Sequence, residues 1–299
     1  LCNTLSSVVR GTGNMQWPSA VLFGVSLLQI VVGGAFGLGL GLAPRWGMAG
    51  VALGNIVAMA VAVVVLGWYL LCGQDRLLLR WRGARLSWPM FQDILRVGAL
   101  ACISPVQTSL AALVLTGMVA RLGPDALAGY GIGQRLEFLL IPIAFGVGVA
   151  AVPMVGMAMG AGQVVRARKV AWTGAWLAAA ILAVLGLLVV LWPRLWSGIF
   201  TQDAAVLVHA DAYLRTVGPA FGLFGMGLVL YFASLGACHV LGPVLAGTVR
   251  LLVVIVGGSW LMAGATPSAQ GLFVLVVVAM ALYGLCTIAS VWRTPWHKK

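Results

Sequence analysis

Long stretches without charge constrain this chain more than any other feature. Seven runs contain no Asp, Glu, Lys or Arg: residues 11–44, 46–74, 97–120, 138–165, 170–193, 216–249 and 251–292. A helix needs about 20 apolar residues to cross the hydrocarbon core of a bilayer, and every run is long enough for one. Only 8% of the residues are charged, whereas soluble domains average about 25%. The chain is therefore predicted to be a multi-span membrane protein.

The runs predict eight membrane-spanning helices. We expect them at about 18–42, 47–72, 97–120, 126–152, 170–193, 214–237, 240–264 and 269–292. The last run is divided by AGATPSAQG, because Gly, Pro and Ser together favour a turn. Helices satisfy their own backbone groups in lipid, and the alternation of apolar and polar residues typical of barrel strands is missing. The predicted fold class is an all-α polytopic membrane protein.

The net charge of +12 is interpreted as a topology signal, with no nucleic-acid partner expected. Alternate connections between spans carry most of the basic residues, and cytoplasmic loops are enriched in Lys and Arg. Twelve of the eighteen basic residues lie in one set: Arg10, Arg76, Arg80, Arg82, Arg85, Arg96, Arg166, Arg168, Lys169, Arg293, Lys298 and Lys299. The other set holds Arg45, Arg121, Arg194 and Arg215. This asymmetry predicts a multi-pass protein of the cytoplasmic (inner) membrane, with a cytoplasmic C-terminus and anionic lipids as partners.

An internal repeat relates the first two spans to the last two. LLQIVVGG at 27–34 resembles LLVVIVGG at 251–258, and GTGNMQWP at 11–18 resembles GACHVLGP at 236–243. Six spans separate the partners, so both copies cross the membrane in the same direction, as in parallel transporter repeats. We therefore expect two six-helix lobes and an intact protein of roughly 450 residues. Residues 1–73 would end the first lobe, 74–96 would be a cytoplasmic linker on the membrane surface, and 97–299 would be the complete second lobe.

The sequence resembles the multidrug and toxic compound extrusion (MATE) transporters, which have two six-helix lobes. The resemblance rests on RGTGNMQWP at 10–18, RLEFLLIPIAFG at 135–146 and VGMAMGAG at 155–162. It implies that this chain corresponds to the last eight helices of a MATE-type bundle, with the first four absent. The Arg-x-Glu pattern at 135–137 is similar to the DinF-like bacterial branch.

Two positions depart from the pattern that the resemblance implies. Many members carry an Asn and then an Asp in the helix after the first motif, where this chain has Gln29 and Gly33. Many also carry a carboxylate in the first helix of the second lobe, where this chain has Gln107 and Thr108. Carboxylate-based ion coupling is therefore not expected at these two places.

Three ionisable residues lie deep within the predicted spans: Arg135, Glu137 and Arg250. Each costs about 2.5–3.5 kcal/mol at the centre of a helix on insertion scales, so such residues are functional candidates. Glu137 lies about 17 Å into its span, near the bilayer midplane, beside the helix-disrupting Pro142. It is the candidate ion-coupling residue. The alternative is a structural ion pair between Glu137 and Arg135 or Arg250.

Further polar side chains within the spans are candidates for a substrate cavity. They are Gln29, Asn55, Gln107, Tyr130, Gln134, Tyr231 and Arg250. Each alone is also explained by a hydrogen bond between helices, and Arg250 by an ion pair. Pro105 and Pro219 are expected to kink their helices, which would serve as hinges or be static.

The predicted function is secondary active export of amphipathic, cationic organic compounds or drugs in exchange for protons or sodium, by a monomer without another cofactor. A lipid-linked saccharide flippase is the first alternative, although several cavity arginines would be expected and only Arg135 and Arg250 qualify. An integral membrane enzyme is the second, although it would show clustered His, Asp or Ser at a membrane face. We therefore expect no enzymatic activity.

Overall fold

The computed structural model describes residues 1–39, 44–72, 88–264, 268–294 and 296. The protein is helical over 88% of these described residues, which form no strand. Its helices are α1 (Cys2–Gly11), α2 (Gln16–Leu38), α3 (Met48–Leu71), α4 (Trp88–Ala120), α5 (Pro124–Gly160), α6 (Val164–Leu191), α7 (Arg194–Ser197), α8 (Ala204–Val217), α9 (Phe221–Gly236), α10 (Leu241–Ala263) and α11 (Ala269–Arg293). Eight helical segments in the described ranges are long and apolar enough to cross a membrane, with α8 and α9 forming one of them. The eight predicted spans are confirmed.

Helix α5 is longer than the predicted span 126–152. It has 37 residues and continues through Pro142 and Pro153, because a membrane helix tolerates a proline when its surroundings satisfy the freed backbone groups. The helix ends where Gly162 adopts a positive φ of 73°. There the Gln163 N–H donates to the Ala158 carbonyl at 2.8 Å. A helix C-terminus of this kind needs one residue in the left-handed backbone conformation, which favours glycine.

Pro219 interrupts its span, as the sequence predicts. A 3₁₀ turn at Gly218–Ala220 separates α8 from α9, because proline cannot donate the backbone hydrogen bond that would continue the α-helix. Pro105, by contrast, lies inside the uninterrupted helix α4.

The structure describes only the end of the predicted surface linker at 74–96. Its residues 74–87 lie outside the described residues, but residues 88–96 belong to helix α4, which continues to Ala120. No proline or glycine occurs between Pro89 and Gly98 to end the helix. The residues before the third span therefore extend that span.

The chain divides into two compact units, of which Leu1–Ser87 is the first. Helices α2 and α3 of this unit pack together, with Gly33 and Gly54 at their contact. A Cβ added to Gly54 would lie 2.5 Å from the Gly33 Cα, so the two backbones touch in the manner of small-residue contacts between membrane helices. A cluster that includes Val9, Ala58, Ala62 and Leu66 forms the core of this unit.

The second unit, Trp88–Lys299, contains the other six spans. Tyr213 of α8 lies at the centre of its main hydrophobic cluster. Its ring makes edge-to-face contacts with Tyr130 of α5 at 5.4 Å and with Phe273 of α11 at 5.0 Å, a geometry favoured by aromatic quadrupoles. These rings join three helices around the polar groups described next.

Candidate functional site

A cavity of about 260 Å³ lies among α4, α5, α9, α10 and α11 of the second unit. Three of the predicted cavity residues line it: Gln107, Tyr231 and Arg250. The remaining lining consists of Ser104, Pro105, Thr108, Ser109, Ala111, Ile141, Phe145, Phe224, Leu228, Gly247, Leu251 and Tyr283. A mainly apolar wall with a few polar groups is typical of small-molecule sites.

Arg250 is the cation of this cavity. Its guanidinium carbon lies 5.1 Å from the Phe224 ring centroid and 5.9 Å from that of Tyr283, both within the range of a cation–π interaction. Its Nε is buried and has no hydrogen-bond partner among the described residues. The rings therefore hold the guanidinium without occupying its N–H donors.

Two polar side chains of the lining bridge neighbouring helices. The Gln107 Nε2 donates to Thr248 Oγ1 at 2.7 Å, while the Gln107 Oε1 is buried without a partner in the described part of the chain. The Tyr231 hydroxyl donates to the Ala101 carbonyl at 3.2 Å. Both residues thus act in helix packing and still face the cavity.

Glu137 belongs to a second polar cluster, outside the lining of the cavity. The Tyr213 hydroxyl donates a hydrogen bond to its carboxylate. One helical turn earlier, Gln134 Nε2 donates to the Tyr130 hydroxyl at 3.4 Å. Tyr130, Gln134 and Glu137 are spaced i, i+4 and i+7 and so share one face of α5, and this face meets Tyr213 of α8.

The structure does not show the alternative ion pair for Glu137. Within residues 1–39, 44–72, 88–264, 268–294 and 296, the only salt bridge is that of Arg194 with Asp211 at 3.4 Å. Arg135 instead lies over the Phe200 ring, at 5.0 Å. Arg250 interacts with the Glu137 carboxylate electrostatically, beyond ion-pair distance.

Gln29 and Asn55 lie in the first unit. Gln29 lines a separate groove of about 620 Å³ together with Ser26, Ile30, Gly33 and Val51. Asn55 is exposed and lines neither described cavity.

The two aromatic partners of Arg250 were not among the predicted site residues. Phe224 and Tyr283 look like ordinary apolar helix residues in sequence. The internal repeat holds a signal for Tyr283. Its third block aligns GVALGNIVAMA at 50–60 with GLFVLVVVAMA at 271–281, and this offset of 221 pairs Tyr283 with Ala62. An aromatic ring is therefore not required there by the repeated scaffold.

Within the described residues, no group of three or more His, Cys, Asp or Glu side chains is placed to hold a metal ion.

The MatE family model matches residues 101–261, which is more than half of the chain and includes Gln107, Glu137 and Arg250. The chain belongs to the MatE family.

Two relatives illustrate the range of this family. The chain is 25% identical over 236 residues to a Shewanella oneidensis protein named FAD transporter, covering 77% of this chain and 51% of the relative. It is 24% identical over 293 residues to a Thermotoga maritima protein named probable multidrug resistance protein NorM, covering 96% and 63%. The chain thus spans between half and two thirds of the length of these relatives.

Solved MATE structures share the fold. A mutant of the Vibrio cholerae MATE transporter VcmN matches 98% of this chain with a TM-score of 0.87 at 18% identity, and 65% of that protein is covered. The helical arrangement is therefore the MATE arrangement. The assignment to the DinF-like branch stays a prediction.

Proposed function

We propose that this protein is a secondary active exporter of amphipathic organic compounds, driven by the entry of protons or sodium. One observation carries the proposal: a carboxylate within a membrane span, without an ion-pair partner among the described residues, lies in the same six-span unit as a cavity suited to small molecules. Glu137 is that carboxylate. Family membership and the names of the two relatives support a transport role.

Glu137 is suited to ion coupling because its charge has no fixed cationic partner within the described residues. A carboxylate in a membrane span is costly when charged, and its hydrogen bond from Tyr213 offsets part of that cost. Binding a proton or Na⁺ would neutralise it. Each charge that enters through 100 mV supplies about 2.3 kcal/mol, enough for a modest substrate gradient.

The cavity around Arg250 is the proposed substrate site. Its volume of about 260 Å³ suits a small ring system with one polar group. The names of the relatives extend from multidrug resistance to FAD, so substrates of this protein need not be drugs. The expected preference for cations has no support from this cavity, because no carboxylate occurs in its described lining.

Basic residues at one end of the second unit support a cytoplasmic C-terminus in the inner membrane. Arg168, near the start of α6, donates to the carbonyls of Trp292 and Thr294 at 3.2 and 3.0 Å. The basic first turns of α6 and the end of α11 therefore lie at the same membrane face. Such clustering of positive charge is typical of the cytoplasmic side.

The flippase alternative is not favoured. It predicts several arginines in the cavity, whereas Arg250 is the only one in the described lining and Arg135 lies elsewhere, over Phe200.

The test is transport by wild type and Glu137→Gln in inside-out vesicles with an imposed pH gradient or sodium gradient. We expect the wild type to accumulate ethidium or 2-naphthoate, and expect the Gln variant to lose gradient-driven accumulation. Membrane expression should stay unchanged, because Gln still accepts the hydrogen bond from Tyr213. Undiminished gradient-driven transport by the variant would remove Glu137 as the coupling residue.

A further inference from the structure

We propose that the cavity of the second unit binds the acidic group of an aromatic organic anion at Arg250. This inference names a substrate class for the site assigned above and so rests on the proposed transport function. The ligand would combine a flat aromatic body with a carboxylate or phosphate.

The first observation is that the positive charge of Arg250 has no carboxylate partner in the described lining of the cavity. Arg250 lines the cavity, and none of the acidic side chains that the structure describes is among the lining residues. The nearest membrane carboxylate, Glu137, is hydrogen-bonded by Tyr213 and forms no ion pair with Arg250. A bound anion would therefore meet a guanidinium whose charge no side chain pairs directly.

The second observation is an unused donor. The Nε of Arg250 is buried and lacks an acceptor in the described ranges. An unsatisfied buried donor is unfavourable, and the gain on supplying an acceptor is larger when a charge is involved. Guanidinium donors form a planar fork that matches carboxylate and phosphate oxygens.

The third observation is the shape of the surroundings. Phe224 and Tyr283 contact the guanidinium and so restrict where it lies. Ile141, Phe145 and Leu228 supply an apolar wall in the same cavity. A ligand with its acid group at Arg250 would place its ring against this wall, where burial of apolar surface favours binding.

The experiment compares matched probes of opposite charge. The purified chain in lipid nanodiscs is dialysed to equilibrium against 2-naphthoate, 2-naphthyl phosphate or 2-naphthylmethylammonium, and empty nanodiscs correct for partition into lipid. We expect the two anions to bind at least about tenfold more tightly than the cation, as a charge-assisted contact requires. The ratio between the two anions tells carboxylate from phosphate recognition.

Variants then locate the preference. Arg250→Met should weaken anion binding by about tenfold or more and should not weaken cation binding, because it removes a like charge. Arg250→Lys should retain part of the anion preference. Arg121→Met is the matched control, because Arg121 follows the end of α4 and does not line the cavity. Equal affinity of the wild type for the anions and the cation would by itself overturn the proposal. Unchanged anion binding by a folded Arg250→Met protein would also overturn it.

Binding and transport can fail separately. Anion-selective binding at Arg250 without gradient-driven transport would refute the exporter and support the anion site. Gradient-driven transport without anion selectivity would support the exporter and refute the anion site.

Discussion

The hydroxyl of Tyr213 on α8 donates a hydrogen bond to the carboxylate of Glu137 on α5. This contact joins two helices of the second unit, and the partner of Glu137 is a tyrosine, not the arginine of the alternative interpretation. It leaves the carboxylate without a direct cationic partner in the described residues, which is the state that reversible ion binding needs.

Removal of that donor should impair coupling. Tyr213→Phe keeps the ring contacts with Tyr130 and Phe273 but leaves Glu137 without its hydrogen bond, at a cost of about 1.5–3 kcal/mol for a bond to a charged group. We expect a lower melting temperature and a changed dependence of transport on external pH. Tyr130→Phe is the control, since its hydroxyl interacts with Gln134 and Thr116 and is not the hydrogen-bond donor to Glu137. A Tyr213→Phe pH profile identical to that of the wild type would argue against this role.

The contact between α2 and α3 should not tolerate a methyl group at Gly54. A Cβ there would lie 2.5 Å from both the N and the Cα of Gly33, and such overpacking costs about 1–3 kcal/mol. Thermal unfolding of Gly54→Ala in detergent should show a melting temperature below that of the wild type. Gly67→Ala in the same helix is the control, because nothing lies within 4 Å of its Cβ position. Equal stability of the two variants would contradict the proposed backbone contact.

The C-terminal residues should contribute to stability through Trp296. Its side chain is only 1% exposed and packs in a cluster with residues of α6 and α9, so Trp296→Ala should cost about 3–5 kcal/mol. Trp292 is 73% exposed, and Trp292→Ala should leave the melting temperature in detergent nearly unchanged. Comparable melting temperatures for the two alanine variants would show that Trp296 is not buried.

Asp211 should matter more than the arginine with which it pairs. The Arg194 side chain is 80% exposed, and such surface pairs contribute about 0–1 kcal/mol. Asp211 also accepts a 2.8 Å hydrogen bond from the buried Ser197. Chemical denaturation should therefore rank Asp211→Ala as clearly less stable than Arg194→Ala. The reverse order would show that the ion pair is the main contribution.

The sequence by itself determined the eight spans and the two embedded charges that matter most. The ability of a segment to cross hydrocarbon depends on its own length and composition, which is why a count of uncharged residues located every span. The end of α5 was missed, because the tolerance of a membrane helix for proline depends on surroundings that composition does not describe.

Only the tertiary structure decided which polar side chains contact one another. Whether Glu137 contacts Arg135, Arg250 or Tyr213 depends on how α5 is rotated and packed against α8. Tyr213 is 76 residues away in sequence, and no sequence pattern indicates that it contacts Glu137. In the same way, packing placed Gln107, Tyr231 and Arg250 around one cavity, and Tyr130 and Gln134 beside Glu137. Polar residues can be found in an apolar sequence, but which of them face one another is set by long-range contacts between helices.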